Sequence, residues 1–317
     1  DTGPRRDANS STLYGARAGL GVDPGGGWRL DFTAFGQWLE SKDSQYVYDP
    51  GTRTRPDQIP EPHDNDLRHV SARLARETGP VHLVASFGVT WHEVGDVYDA
   101  TVGAQSFGLA DPRTLQIERT YRLWDSEVRM SGALGKADWL FGVSAVGARQ
   151  SNLWTVQSSV DSLTINDDRS TANDIAAFGD VTVPLGSGLS INGGARLFVS
   201  SVWETRKLAN GAQTYEFTRA GVTPSLALAW RPDRETLAYV RYGSAFRQGG
   251  LDISSSGQIE RLKGDELVTL EAGGRHTFRN GGTLDIALYD TSWEDMQSDM
   301  LQSNGLIETR NSGKAKI

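Results

Sequence analysis

No cysteine occurs anywhere in the 317-residue chain, so neither a disulfide framework nor a thiolate metal site is available to it. There is no apolar run of about 18 residues, which excludes a helical membrane span. Histidine is scarce at five residues: no His-Glu-x-x-His occurs, and no two histidines stand at ligand spacing. His92-Glu93 reads as a pair at a strand rim rather than a metal site. Gly-x-Ser-x-Gly is missing too. The glycine-rich stretch GVDPGGG at 21–27 lacks the Lys-Ser/Thr of a phosphate loop and reads as a turn. Basic residues (32) are outnumbered by acidic ones (40), giving a net charge of −8 that disfavours nucleic acid as a partner. The acidic pairs Asp64/Asp66 and Asp167/Asp168 lack calcium-loop spacing and read as solvated loop charge. No catalytic residue, metal site or cofactor-binding motif emerges, and enzyme chemistry is not expected.

What is present is alternation. From Val81 to Trp91 the odd positions are Val, Leu, Ala, Phe, Val and Trp, while the even ones are mostly small or polar. Residues 28–39 put Trp28, Leu30, Phe32, Ala34 and Trp38 on one face, against Arg29, Asp31, Thr33 and Gln37 on the other. Residues 189–203 do the same with Leu189, Ile191, Ala195, Leu197, Val199 and Trp203. Period two with little 3.6-residue periodicity predicts an all-β chain. The strands run to roughly 11–15 residues, long against the usual 5–6.

The connections alternate as well. Tight turns at 22–27, 77–80, 134–138, 184–188, 231–234 and 279–282 are separated by long polar loops at 41–66, 95–118, 151–172, 204–216, 248–264 and 297–310. An up-and-down transmembrane β-barrel has this rhythm, with one rim trimmed and the other elaborated. Trp28 and Trp38 share a face ten residues apart. At roughly 3.3 Å per residue and a tilt of about 40°, their separation projects to about 25 Å, the height of the apolar band between aromatic girdles. Trp91, Trp139, Trp154, Trp203 and Trp230 also fall near strand ends.

The last eighty residues are more specific. AYVRYGSAFRQGGL (238–251) is followed by GDELVTLEAGGRHTF (264–278), LDIALYDTSWEDMQ (284–297) and RNSGKAKI (310–317). In order and spacing these resemble the barrel of TonB-dependent outer-membrane receptors: Phe-Arg-x-Gly-Gly after a Tyr-rich strand, a Glu-bearing strand, an aromatic strand with Trp-x-Asp, then Asn-x-Gly-x-Ala. Upstream, Ala177-Phe178-Gly179 and Gly193-Gly194-Ala195-Arg196 continue the likeness, as does the Val-Thr-Trp strand at 81–101. The sequence departs at Gln248, where Pro is common, and at Gly264-Asp265 before Glu266, where Pro is usual.

The resemblance implies a closed barrel of about 22 strands around a plugged lumen. About thirteen strands are legible in residues 1–317, so the chain is expected to be the central section of such a barrel, with plug and TonB-contacting segments upstream of Asp1 and closing strands after Ile317. NSGKAKI is expected to open a strand of that continuing barrel. The implied function is TonB-coupled uptake of a scarce ligand across a Gram-negative outer membrane. Ferric siderophore is the commonest class, with cobalamin and saccharides as competitors; the partners are TonB, the ligand and outer-membrane lipid. A passive porin-like channel shares the rhythm but explains the four ordered segments poorly. A secreted soluble β-rich binding module would need polar outward faces. If Val268, Leu270, Ala272 and Phe278 face lipid, then Thr269, Glu271 and Arg275 face inward, and Arg241 points inward beside Glu271. With Arg247 these are the expected lumen contacts to substrate or plug, set against a plain charge ladder that solvates the wall.

Overall fold

A computed structural model describes all residues except 1–5, 7, 45–50, 52–58, 102–106, 209–210, 254–258 and 302–306, and no helix occurs among those described. The first ten strands are β1 (Ser11–Gly25), β2 (Trp28–Ser41), β3 (His63–Arg76), β4 (Val81–Asp99), β5 (Thr114–Leu134), β6 (Ala137–Gln157), β7 (Ser162–Gly186), β8 (Leu189–Leu208), β9 (Gly211–Trp230) and β10 (Thr236–Arg247). They are followed by β11 (Gly250–Ile253), β12 (Ile259–Leu262), β13 (Asp265–Thr277), β14 (Thr283–Glu294), β15 (Gln297–Leu301), β16 (Ile307–Asn311) and β17 (Ala315–Lys316). Thirteen of them form one antiparallel up-and-down sheet in the order β1 to β10, β13, β14, β17. The pairs β11–β12 and β15–β16 are small hairpins within the connections on either side of β13 and β14. The sheet matches the strand number and topology expected of a barrel section.

The tight turns all lie on one rim. At 25–27 the chain reverses through three glycines at φ of 97°, 62° and 79°, a backbone region that side chains disfavour. On the other rim the strands are longer than alternation alone suggests. β7 runs 25 residues, and β8 and β9 run 20 each. The stretches 151–172 and 204–216, expected as loops, are mostly strand: β6 and β7 are joined across 158–161, and β8 runs on to Leu208. Their polar composition misled because a strand that has left the apolar layer keeps its ladder without keeping an apolar face. The middles of the expected loops 41–66, 95–118, 248–264 and 297–310 lie outside the described residues.

The sheet has two chemically distinct faces. Phe32, Phe87, Phe141, Leu197, Leu226 and Leu288 stand exposed on one of them, each more than two-fifths accessible. Among the described residues, only eight apolar residues are buried, among them Val156, Ala176, Phe198 and Val202. A soluble domain hides such residues, so an apolar face of this extent marks a surface that meets lipid or another apolar partner. The opposite face is a ladder of charge and amide pairs. Arg73 reaches Asp31 at 3.4 Å, Asn192 donates to Asp180 at 3.0 Å and Thr182 at 2.9 Å, and Arg196 engages Asp174 and Ser144.

Two details bear on the site. The β9–β10 ladder stops at Ser225↔Gly243, and the next residue of β9 is Pro224, which has no N–H to offer. Beyond that point Phe246 stacks on Phe198 at 5.2 Å, with the Arg219 guanidinium 4.2 Å over its ring. At the chain's end, the strand anticipated in NSGKAKI begins at Ala315, where Ile317 exchanges backbone hydrogen bonds with Thr291 at 2.9 and 3.0 Å. The preceding Ile307–Asn311 belongs instead to the β15–β16 hairpin, and Gly313 at φ 105° separates the two.

Candidate functional site

The expected lumen residues lie on the polar face of β10, β13 and β14. Arg241 and Glu271 are directly opposite in register, with guanidinium Nε and Nη2 at 3.1 and 2.7 Å from one carboxylate oxygen. The other oxygen accepts from the Tyr239 hydroxyl, so Glu271 is held from two sides. Arg275 donates from Nε to both oxygens of Asp285 at 2.8 and 3.0 Å. The Thr269 and Thr291 hydroxyls meet at 2.9 Å. Thr269, Glu271, Arg275 and Arg241 thus share one polar face, each with a cross-strand partner. Arg241 and Arg275 remain 61% exposed, whereas Glu271 is 13% exposed, so the guanidiniums are the groups free to meet an occupant.

Arg247 behaves differently. Its Nε and Nη2 fork onto Asp265, which is 0% exposed, and Trp293 Nε1 donates to the same carboxylate at 2.9 Å. Burial pushes the Asp265 carboxyl up, but the Arg247 and Trp293 hydrogen bonds outweigh it and hold the group below its ordinary value. Around this fork the connections are stitched together. Gln297 donates to the carbonyls of Gln248 and Lys263 at 3.2 and 2.9 Å, and Asn311 donates to those of Lys263 and Asp295 at 3.1 and 2.6 Å. A side chain at Gly249 would collide with the Leu262 carbonyl, its Cβ only 2.1 Å away. The Phe-Arg-x-Gly-Gly and Asn-x-Gly segments thus meet in one knot at the long rim.

A second cluster escaped the sequence reading. On β7 and β8 the side chains of Asp168, Glu204 and Arg206 are all under a tenth exposed, on the polar face one step beyond the Trp203 level. Asp168 is therefore not the solvated loop charge expected of it, while its neighbour Asp167 pairs with Lys207 at 2.5 Å. The β11–β12 hairpin covers the cluster: Leu251 is buried and its N–H donates to Glu204 Oε2 at 3.2 Å. Burial pushes the Glu204 carboxyl up to about 7, with Arg206 opposing the shift and Asp168 adding to it. Burial likewise raises Asp168, although Asn166, Arg206 and Asn152 oppose the shift. Arg206 Nη2 lies 3.9 Å from Asp168 and 3.6 Å from Glu204, and its Nε and Nη1 have no partner among the described residues. Gln248 adds a further tie, since its Oε1 accepts from Ser200 at 2.5 Å, which a proline there could not do. The alternation Ser200, Val202, Glu204, Arg206 continues that of Asn192 and Arg196, and was the available signal.

Four of the five histidines, His63, His69, His92 and His276, have side-chain hydrogen-bond partners. His92 Nε2 pairs with Asn65 at 2.9 Å and stacks on Tyr121 at 5.5 Å. Among the described residues, no group of three or more His, Asp or Glu is disposed to hold a metal ion. Trp154, expected near a strand end, lies on the polar face and donates to Asn152 at 2.7 Å, so it takes no part in an aromatic girdle.

Comparison with known proteins agrees with this architecture. The family described as TonB dependent receptor-like, beta-barrel, matches residues 2–317. Among solved structures, the ferric yersiniabactin uptake receptor FyuA from Yersinia pestis aligns with a TM-score of 0.79 at 15% identity, covering 96% of this chain and 48% of that one. The copper transporter OprC gives 0.72 at 14% identity, over 96% and 49% of the two chains. The ferric citrate transporter FecA, unliganded, gives 0.75 at 14% identity, over 98% and 47%. The chain thus spans about half the length of these structures. No curated protein sequence matches it.

Proposed function

The chain belongs to the TonB-dependent receptor-like β-barrel family, and from that premise we propose that it is the central barrel section of a receptor for active uptake across a Gram-negative outer membrane. The family is one of transporters, and bond chemistry is not part of the proposal. The observation that carries the reading is the family match over 2–317 on a thirteen-stranded sheet whose one face is apolar and exposed and whose other is ion-paired. In the proposed arrangement the apolar face meets lipid and the polar face lines the lumen. A plug upstream of Asp1 is coupled to TonB, and strands beyond Ile317 close the wall. Arg241, Thr269, Glu271 and Arg275 contact plug or ligand, and the long-rim connections form the entry.

A ferric chelate is the proposed cargo, a class supported by FyuA and FecA, which are described as handling ferric yersiniabactin and ferric citrate. OprC, described as a copper transporter, marks the competing class of metal cargo. The test is uptake by cells carrying the complete receptor, with iron-55 presented as a panel of ferric chelates and with cobalamin and maltodextrin as controls. Accumulation that requires TonB and the proton-motive force is expected for at least one ferric chelate. Accumulation that persists without TonB would make the protein a passive channel, and a soluble product absent from the outer membrane would end the barrel reading.

A further inference from the structure

The seam between β9 and β10 leaves an edge that the transport reading does not use. β9 stands between β8 and β10 in the sheet, so it is not an edge strand by position. It pairs with β8 along its whole length, from Leu189↔Trp230 to Leu208↔Gly211, whereas its ladder to β10 ends at Ser225↔Gly243. The Pro224 carbonyl accepts from the Ser244 hydroxyl at 3.3 Å, so the backbone polar groups of Pro224 face β10. In an extended strand residues two apart face the same way. Val222, Ala220, Thr218, Glu216 and Thr214 therefore turn their N–H and C=O groups to that side too. All five are exposed, and among the described residues none has a backbone partner there. Unpaired groups in such a row are a template for another strand.

β10 does not close this edge because its end is held elsewhere. Continued, the register would set Phe246 opposite Val222 and Gln248 opposite Ala220. Instead Phe246 stacks on Phe198 at 5.2 Å with the Arg219 guanidinium over its ring, and Arg219 pairs with Glu266. Gln248 is tied by its side chain to Ser200 and by its carbonyl to Gln297. The chain then turns onto the polar face, where the Leu251 N–H reaches Glu204 of β8. Height and charge narrow the occupant. Thr218 lies twelve residues along β9 from Trp230. At roughly 3.3 Å per residue and a tilt of about 40° that is about 30 Å, beyond an apolar band of about 25 Å, so most of the edge stands in water. A chelate or a lipid does not offer donors and acceptors at the spacing of a ladder, whereas an extended polypeptide does. Glu216, midway along the edge, makes no ion pair among the described residues, while Arg219 and Lys207 are taken by Glu266 and Asp167. An opposite charge directly across from it is the favoured pairing.

We propose that the free edge of β9 over residues 214–222 is a strand-addition site for an extended basic segment of a polypeptide outside the cell. The inference rests on the outer-membrane reading above, and its test separates the two. The complete receptor, purified in neutral maltoside detergent, is titrated with a dye-labelled probe peptide, Thr-Val-Thr-Lys-Thr-Val-Thr, and binding is read by fluorescence anisotropy. Two controls are the peptide with Glu in place of Lys, and the peptide methylated on the backbone nitrogens of Lys and every second residue from it. The parent peptide is expected to bind about tenfold more tightly than either control and to slow hydrogen exchange at the Thr218 and Ala220 amides. Thr218→Pro, which removes one donor from the edge, is expected to weaken binding about tenfold. Glu216→Gln, an exposed change that leaves the ladder to β8 intact, gives an expected loss of about threefold and provides the reading if the proline variant does not fold. Absence of binding, or equal binding of the methylated and unmethylated peptides, overturns the proposal, as does equal binding to wild type and Glu216→Gln. Slow exchange at Thr218 and Ala220 in the receptor alone overturns it too, since a second copy or another segment of the receptor then already covers the edge. Failure of the parent reading shows earlier, as a receptor missing from the outer-membrane fraction.

Discussion

Arg247 forks onto Asp265 with its Nε at 3.0 and 3.1 Å from the two carboxylate oxygens and its Nη2 at 2.6 Å from one of them. The carboxylate is fully buried, while the guanidinium stays half exposed at 53%. Such a pair fixes the ends of β10 and β13 more than it offers charge to a ligand. Removing one partner strands the other, and the outcome depends on which is left: an exposed guanidinium finds water, but a buried carboxylate does not.

Arg247→Ala is therefore expected to destabilise the complete receptor by about 1–3 kcal/mol, and the Arg247→Met, Asp265→Asn double variant by less, because no charge is then left buried alone. The temperature at which the folded band shifts on a denaturing gel measures both. Equal losses in the single and double variants would remove the fork from the account of that rim.

Glu204 supplies a pH dependence. Its carboxyl is pushed up to about 7, so the ionised form is the disfavoured one in the folded protein. A raised carboxyl adds stability in full below its unfolded value near 4.5, and that contribution is lost as pH rises through about 7. The difference between those values corresponds to about 3 kcal/mol for this group. The β11–β12 hairpin, whose Leu251 N–H rests on Glu204, is thus expected to be held more tightly at pH 5 than at pH 8. Hydrogen exchange at the Leu251 amide, corrected for intrinsic rate, reads this directly, and Glu204→Gln is expected to flatten the profile. An equally steep profile in that variant would assign the effect to Asp168 or another group.

These two examples show what alternation can reveal. Where strands alternate regularly, period two fixes the face of every residue, so Arg241 and Glu271 were legible as neighbours on one polar face before any register was known. Above Trp203 the constraint on the outer face lapses, and β7 and β8 continue through residues that read as loop. Burial of Glu204 comes from a hairpin folding back, with Leu251 meeting it across 47 residues, whereas Trp293, paired with Leu267 on the β13–β14 ladder, meets Asp265 two residues along. The hairpin contact leaves no periodic trace. Asp265 was noticed as a departure from the family pattern, but its role needed the partner 18 residues upstream.

The Arg241–Glu271 pair decides between a wall ladder and a working surface. Glu271 is satisfied by Tyr239 as well as Arg241, so it stays paired with the hydroxyl when the arginine is removed. Arg241 is 61% exposed, and an ion pair that open to solvent contributes about 1 kcal/mol or less to stability. Arg241→Ala is therefore expected to leave the gel-shift temperature of the complete receptor nearly unchanged. If the guanidinium also meets plug or cargo, as proposed, the variant binds its ferric chelate more weakly by about tenfold, the loss of one charge-assisted contact. Arg241→Lys keeps the charge without the planar fork and is expected to fall between the two. Ligand titration by intrinsic fluorescence separates the possibilities. An affinity equal to wild type in Arg241→Ala would reduce the pair to a rung that solvates the wall, and contact with plug or cargo would pass to Arg275 or to residues outside this section.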